Sequence, residues 1–179
     1  TAARFGQRVG MANLVGTLAK YLGLVTVFPI ALALYYGDPV WPYLVTGLGT
    51  SGFGFLLERL TRGARSQMGV REGFLVVSAM LLMTAAFASL PYLFAGGEQL
   101  DHPIDAYLEG MSAVTTTGAS VVTDYNAFSP TLAMWRQFTQ WLGGLGIIIL
   151  AVAILPRLRV GGRQMMESEL PGPEITQLG

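Results

Sequence analysis

Thr115-Thr116-Thr117-Gly118-Ala119-Ser120 is the segment of this chain whose residue types are best suited to chemistry. Hydroxyls and one glycine lie between a short amphipathic stretch and a long apolar one. Irregular backbone is tolerated at membrane depth only where it is buried in protein or lines water. A short helix followed by a Thr/Gly loop can present backbone carbonyls to a dehydrated cation. Thr116, Thr117, Gly118, Ala119 and Ser120 are therefore the candidate ion-binding residues, mainly through their carbonyls. Gly118 can take backbone angles closed to other residues, and a Thr or Ser hydroxyl can add an oxygen ligand. The bland alternative is a helix C-cap in which Thr115–Thr117 and Gly118 satisfy the last helical carbonyls. The pattern alone does not separate the two; its position between apolar segments gives it force.

Other chemistries find little support. There is no Cys, which removes disulfides and thiolate ligands. His102 is the only histidine, so no multi-His metal site forms within one chain. It is also the only base candidate for an enzyme, and nothing fixes Ser112 or Ser120 beside it as a nucleophile. Neither a catalytic residue nor a cofactor is expected. A net charge of zero provides no basic field for nucleic acid.

Composition sets the environment. The chain has 179 residues, 52% hydrophobic and 12% charged, against about 25% charged in soluble domains. An all-α integral membrane protein is the class this implies. The chain opens on Thr1, so a preceding segment is expected, and Arg4 and Arg8 before an apolar stretch resemble a secretory signal. The stretch runs on to Tyr36, too long for a signal core, and no small-residue cleavage site precedes Asp38.

Four segments approach the roughly 20 apolar residues that a spanning helix needs. They run from about Leu14 to Tyr36, Val40 to Leu57, Gly73 to Phe94 and Leu132 to Leu155. Lys20 can snorkel from the first. Trp41 and Tyr43 suit an interface at the start of the second. Between the last two lies Asp105–Val122, too polar to span and too apolar for an ordinary loop. Ile104, Tyr107, Leu108, Met111 and Val114 recur at helical spacing. Asp105 is expected to cap that helix. Ending near Thr115 or Thr116, it would be roughly 17 Å long, enough to dip halfway into a bilayer.

Charge placement tests this topology. Nine of the eleven Lys and Arg fall at the N-terminus, in the 58–72 loop or after residue 156. The exceptions are Lys20 and Arg136. The other connections carry Asp38, Glu98, Asp101, Asp105 and Asp124 with no basic residue. Four spans place every basic segment on the cytoplasmic side, as the positive-inside rule asks. A full crossing by Asp105–Val122 would put the Arg-rich tail outside, so the segment is expected to enter and leave from the outer face. Arg136 is expected to pair with Glu109 or Asp124, or else to snorkel. The outer acids either concentrate cations or form a solvated loop. Gly143, Gly144 and Gly146 in the fourth segment are candidate bend or packing glycines.

Met111-Ser112-Ala113-Val114-Thr115-Thr116-Thr117-Gly118-Ala119-Ser120 resembles the first filter region of the TrkH-type potassium uptake proteins, in the Trk/Ktr/HKT superfamily. Leu132–Gln137, Gln140–Ile148, Ala151–Pro156, Val160–Gly162, Pro171–Pro173, Arg71–Phe74 and Leu90–Pro91 extend the match over essentially the whole chain. The resemblance implies two preliminary transmembrane helices plus one helix–re-entrant pore loop–helix repeat. The corresponding regions are 1–72 (two-helix membrane region and cytoplasmic loop), 73–156 (the repeat) and 157–179 (cytoplasmic connector or tail). Gly118 would be the single filter glycine of the repeat, a residue associated in plant relatives with K⁺ permeation. Ser120, where Thr is common in bacterial members, is a mild departure. Potassium would be the substrate, with no metal beyond the potassium path.

Family members carry four such repeats, and this chain carries one. It is expected to be part of a longer chain, the alternative being self-association into a fourfold pore. Partners implied are those remaining repeats, membrane lipids and a cytoplasmic nucleotide-binding regulatory ring, but no nucleic acid. Arg59–Arg71 and Arg157–Arg163 could dock that ring or anchor to anionic lipid. The implied location is a bacterial-type cytoplasmic membrane with both termini inside. A non-conducting truncated or regulatory membrane module that assembles with full-length subunits is the rival reading.

Overall fold

The computed structural model describes residues 2–62 and 70–148. The chain divides into two compact units, Thr1–Leu145 and Gly146–Gly179. All but Gly146–Ile148 of the described residues belong to the first, and every regular element among them is helical. The expectations placed on 149–179, including Arg157–Arg163, lie outside the described residues, as does Arg65.

The helices are α1 (Ala2–Leu22), α2 (Val27–Tyr36), α3 (Trp41–Leu60), α4 (Val70–Ala88), α5 (Leu90–Ala95), α6 (Pro103–Val114) and α7 (130–148). Two proline interruptions shape them. Pro29 has no N–H to give Val25 and its ring crowds that carbonyl. The chain tightens to a 3₁₀ turn over Gly23–Thr26, where Thr26 Oγ1 donates to the Gly23 carbonyl at 2.8 Å. Pro91 separates α4 from α5, and Trp135 Nε1 of α7 donates to the Ala88 carbonyl at this break, 3.0 Å away.

Val9–Tyr36 and Gly73–Ala95 are each long and apolar enough to cross a membrane. The second expected span does not reach that apolarity. Its 20 residues suffice in length, about 30 Å, but Gly47, Gly49, Gly52, Gly54 and three hydroxyl residues dilute it. Those small residues do the packing instead. A Cβ on Gly54 would stand 2.3 Å from the Lys20 nitrogen and 2.6 Å from the Gly16 carbonyl oxygen. Gly47 lies equally close to Thr26, and Gly23 to Ser51. Gly16/Gly23 and Gly47/Gly54 share a seven-residue spacing, so α1 and α3 meet backbone to backbone along a glycine seam.

Lys20 pairs with α3. Its Nζ lies 2.7 Å from Glu58 Oε2, and Asn13 Nδ2 donates to the Glu58 carbonyl at 3.1 Å. α3 therefore provides a partner that the sequence order does not advertise. The connections lacking Lys and Arg meet at one end of the unit. There Thr131 N at the start of α7 donates to Asp38 Oδ2 at 3.1 Å, an acid placed well for a helix N-terminus. The core joins Tyr43, Tyr92, Leu100, Val114, Leu132 and Trp135. Leu34, Leu48, Leu60, Phe74 and Leu82 are exposed, an exterior suited to lipid.

The seam predicts a contrast within one helix. Gly54→Ala should cost about 1–3 kcal/mol by overpacking. Gly52→Ala meets nothing within 4 Å and should be neutral or stabilising. Denaturant titration of both variants in detergent micelles checks this, and equal stabilities would refute the seam.

Candidate functional site: a carboxylate-braced loop after α6

α6 is amphipathic, as its spacing predicts, but the face turned into the unit is mostly small and polar, with Val114 the one residue of the apolar stripe that is buried. Ala106, Glu109, Gly110, Ser112 and Ala113 are buried, while Ile104 is 74% and Leu108 37% exposed. Gly110 sits against the Ala85 carbonyl and Ser89 at the end of α4. Asp105 is not the cap. His102 occupies that position without a side-chain cap bond, Pro103 follows, and Asp105 lies in the first turn. There it still complements the helix dipole.

The C-terminal end of α6 is closed by its own backbone and by threonine. Thr115 Oγ1 donates to the Met111 carbonyl at 2.7 Å. Thr116 N donates to Ala113 and Thr117 N to Ser112, at 3.1 and 3.0 Å. This is the Schellman arrangement, which normally places glycine at the left-handed position. Here Thr116 occupies it, with φ +57°. A β-branched residue in that region is an outlier, and such strain costs of order 1–3 kcal/mol. The cap uses Thr115–Thr117 and does not involve Gly118, which takes its own left-handed φ of +77° just beyond it.

Residues 116–121 then run exposed along the surface of the unit. Among the described residues, no donor reaches the carbonyls of Thr116, Thr117 or Gly118. The Ala119 carbonyl accepts from Ser112 Oγ at 2.6 Å. Thr117 and Thr115 share a hydroxyl contact at 2.8 Å. The Ser120 hydroxyl is committed to Glu109 Oε1, so only its carbonyl remains for a ligand.

Glu109 is the brace. It is fully buried. Oε1 accepts from Ser120 Oγ and from Val121 N at 2.9 Å, and Oε2 accepts from Arg136 Nε on α7 at 3.1 Å. Of the partners open to Arg136, the structure uses Glu109, not Asp124. The guanidinium also lies over the Tyr125 ring, 5.4 Å from its centroid. Asp124 instead accepts from Asn126 N at 2.9 Å.

α7 supports the same loop from below. A Cβ on Gly143 would stand 2.0 Å from the Val114 carbonyl oxygen, so only glycine admits this approach. A Cβ on Gly144 would stand 3.8 Å from Thr116 Cγ2, and helical structure continues through Gly143, Gly144 and Gly146. Gly143 lies thirteen residues into α7, roughly 20 Å along its axis. The tip of α6 therefore sits well below the end at which α7 starts. No group of three His, Cys, Asp or Glu suited to a metal occurs among the described residues.

A helical unit with a lipid-suited exterior and two helices long and apolar enough to cross a membrane fits a polytopic membrane protein. Residues 48–178 match the TrkH family, described as cation transport protein. The chain belongs to the TrkH family. It is 40% identical to the Trk system potassium uptake protein TrkH of Halomonas elongata over 162 residues, covering 90% of this chain and 33% of that protein. It is 34% identical to TrkH of Escherichia coli K12, over 91% of this chain and 34% of the relative. An uncharacterised cation transporter of Methanocaldococcus jannaschii is 30% identical, over 83% and 31%. The chain spans about a third of the length of these curated relatives.

The sequence singled out Glu109 only as one partner for Arg136, and Ser112 only as an unsupported nucleophile. Gln99 and the strained Thr116 carry no signal in residue type. The buried pair makes a direct test. Arg136→Met should destabilise the protein by about 3–5 kcal/mol, because an unpaired carboxylate is left buried. In a Glu109→Gln background the same change should cost less by about 1–3 kcal/mol. A double-mutant cycle by thermal denaturation measures this, and additive costs would exclude the coupling.

Proposed function

We propose that this chain contributes to potassium uptake, with Thr116, Thr117, Gly118, Ala119 and Ser120 forming one of the four strands of a carbonyl-lined selectivity filter. The observation that carries the reading is a run of three exposed residues, Thr116–Gly118, whose carbonyls accept no hydrogen bond among the described residues, on a loop whose return limb is fixed by a buried carboxylate. Carbonyls left free of hydrogen bonds are what a dehydrated cation needs. The relatives named potassium uptake proteins support the choice of ion.

In this reading α6 is a re-entrant pore helix. Its C-terminal end points to mid-membrane, where its dipole leaves partial negative charge favourable to a cation. Residues 1–72 form the preliminary helix pair, 73–156 the pore repeat and 157–179 a cytoplasmic connector. Both termini lie on the cytoplasmic side of the inner membrane, where basic segments are retained. One strand is a quarter of a ring, so the remaining repeats of a longer chain, or further copies, complete the pore. A cytoplasmic nucleotide-binding ring regulates it; the naming of the relatives as parts of a Trk system supports a multi-component assembly.

Gly118→Asp tests the assignment. A Cβ at Gly118 meets nothing within 4 Å, so the change perturbs conformation and charge, not packing. Rubidium uptake by the assembled transporter in potassium-depleted cells should fall to background. Wild-type uptake by this variant would remove the loop from the ion path.

A further inference from the structure

We propose that Gln99 is a positioning residue for the selectivity loop, holding its outer end as Glu109 holds its inner end. The inference rests on the filter reading above. Gln99 Oε1 accepts from Thr123 N at 3.0 Å, Thr123 Oγ1 at 2.9 Å and Asp124 N at 3.1 Å. Its Nε2 donates to the Asp124 carbonyl at 3.0 Å. One amide side chain thus satisfies two consecutive backbone N–H groups and a carbonyl across 25 residues of chain.

The remaining amides of the return limb follow the same rule. Val121 N goes to Glu109 and Val122 N to Ser120 Oγ at 3.0 Å. All four N–H groups from Val121 to Asp124 are bound by side chains, with no strand partner. An extended segment held this way keeps a fixed path while its other face stays open. The register of the limb then sets where the carbonyls before it stand.

Gln99 can act as an anchor because its own turn is locked. Gly97, at φ +65°, starts the 3₁₀ turn Gly97–Leu100. Leu100 is fully buried in the core. A Cβ on Gly96 would stand 2.7 Å from Leu100 Cβ and 2.4 Å from the Tyr92 carbonyl oxygen. Only glycine permits the turn to seat this closely. The clamp therefore transmits the rigidity of the core to an exposed limb.

The test uses the assembled transporter in lipid nanodiscs, with Gln99→Ala and Gln99→Glu. The glutamate variant keeps an accepting oxygen for the Thr123 and Asp124 amides, replaces the donated bond with an oxygen facing the Asp124 carbonyl, and adds a charge. Amide exchange at Thr123 and Asp124 should speed up about tenfold or more in Gln99→Ala and change little in Gln99→Glu. Sodium competition against rubidium uptake should strengthen about fivefold in Gln99→Ala, the scale of one ordinary hydrogen bond, with Gln99→Glu close to wild type. Should Gln99→Ala fail to assemble, Gln99→Met, of similar length, carries the same measurements. Unchanged exchange in Gln99→Ala overturns the clamp. Faster exchange with unchanged sodium competition overturns the positioning role while Gly118→Asp still abolishes uptake. Loss of the functional reading is distinguished by Gly118→Asp itself transporting normally.

Discussion

A carboxylate with no exposure to solvent is costly unless every oxygen is occupied. Glu109 meets that condition by reaching three partners from two parts of the chain: Ser120 and Val121 on the loop and Arg136 on α7. The same desolvation that makes the charge expensive makes each of these bonds stiff. α6, the limb that returns from its tip and the following helix are thereby tied at one point. Remove the pair and nothing in residue type would dictate where 116–121 run.

The brace works only because helices approach closely enough for short side chains to meet. Gly143 lets α7 touch the end of α6, Gly110 lets α6 touch the end of α4, and the Gly16/Gly23–Gly47/Gly54 seam joins α1 to α3. Apolar side chains gain little by facing one another when lipid is equally apolar. Close backbone approach, buried hydroxyls such as Thr46 and Thr50 bonding back to their own helix, and the Lys20–Glu58 and Arg136–Glu109 ion pairs hold the unit instead. The strained Thr116 is exposed, and the cap bonds of Thr116 N to Ala113 and Thr117 N to Ser112 on either side hold its unfavourable dihedral in place.

Much of this was legible in the residues. Hydropathy located Val9–Tyr36 and Gly73–Ala95 to within a few residues, and spacing located α6. The family followed from the Thr115–Ser120 and Gln140–Ile148 motifs. What residue types could not convey was which side of α6 faces inward. In water the stripe of Ile104, Tyr107, Leu108, Met111 and Val114 would be buried; here only Val114 is, while Ile104 and Leu108 are exposed and the small face does most of the packing. Lys20–Glu58 and Gln99–Asp124 join residues far apart in sequence, and no local pattern announces them. The left-handed Thr116 violates the preference that would make it predictable, since only the cap geometry, not the residue, demands it.

The central claim is that the carbonyls of the loop after α6 contact the transported cation. Anomalous diffraction from crystals of the assembled transporter grown in rubidium tests it most directly. The account predicts a rubidium peak within coordination distance of the Thr116–Ala119 carbonyls. Rubidium bound along the pore with none at these carbonyls would contradict it.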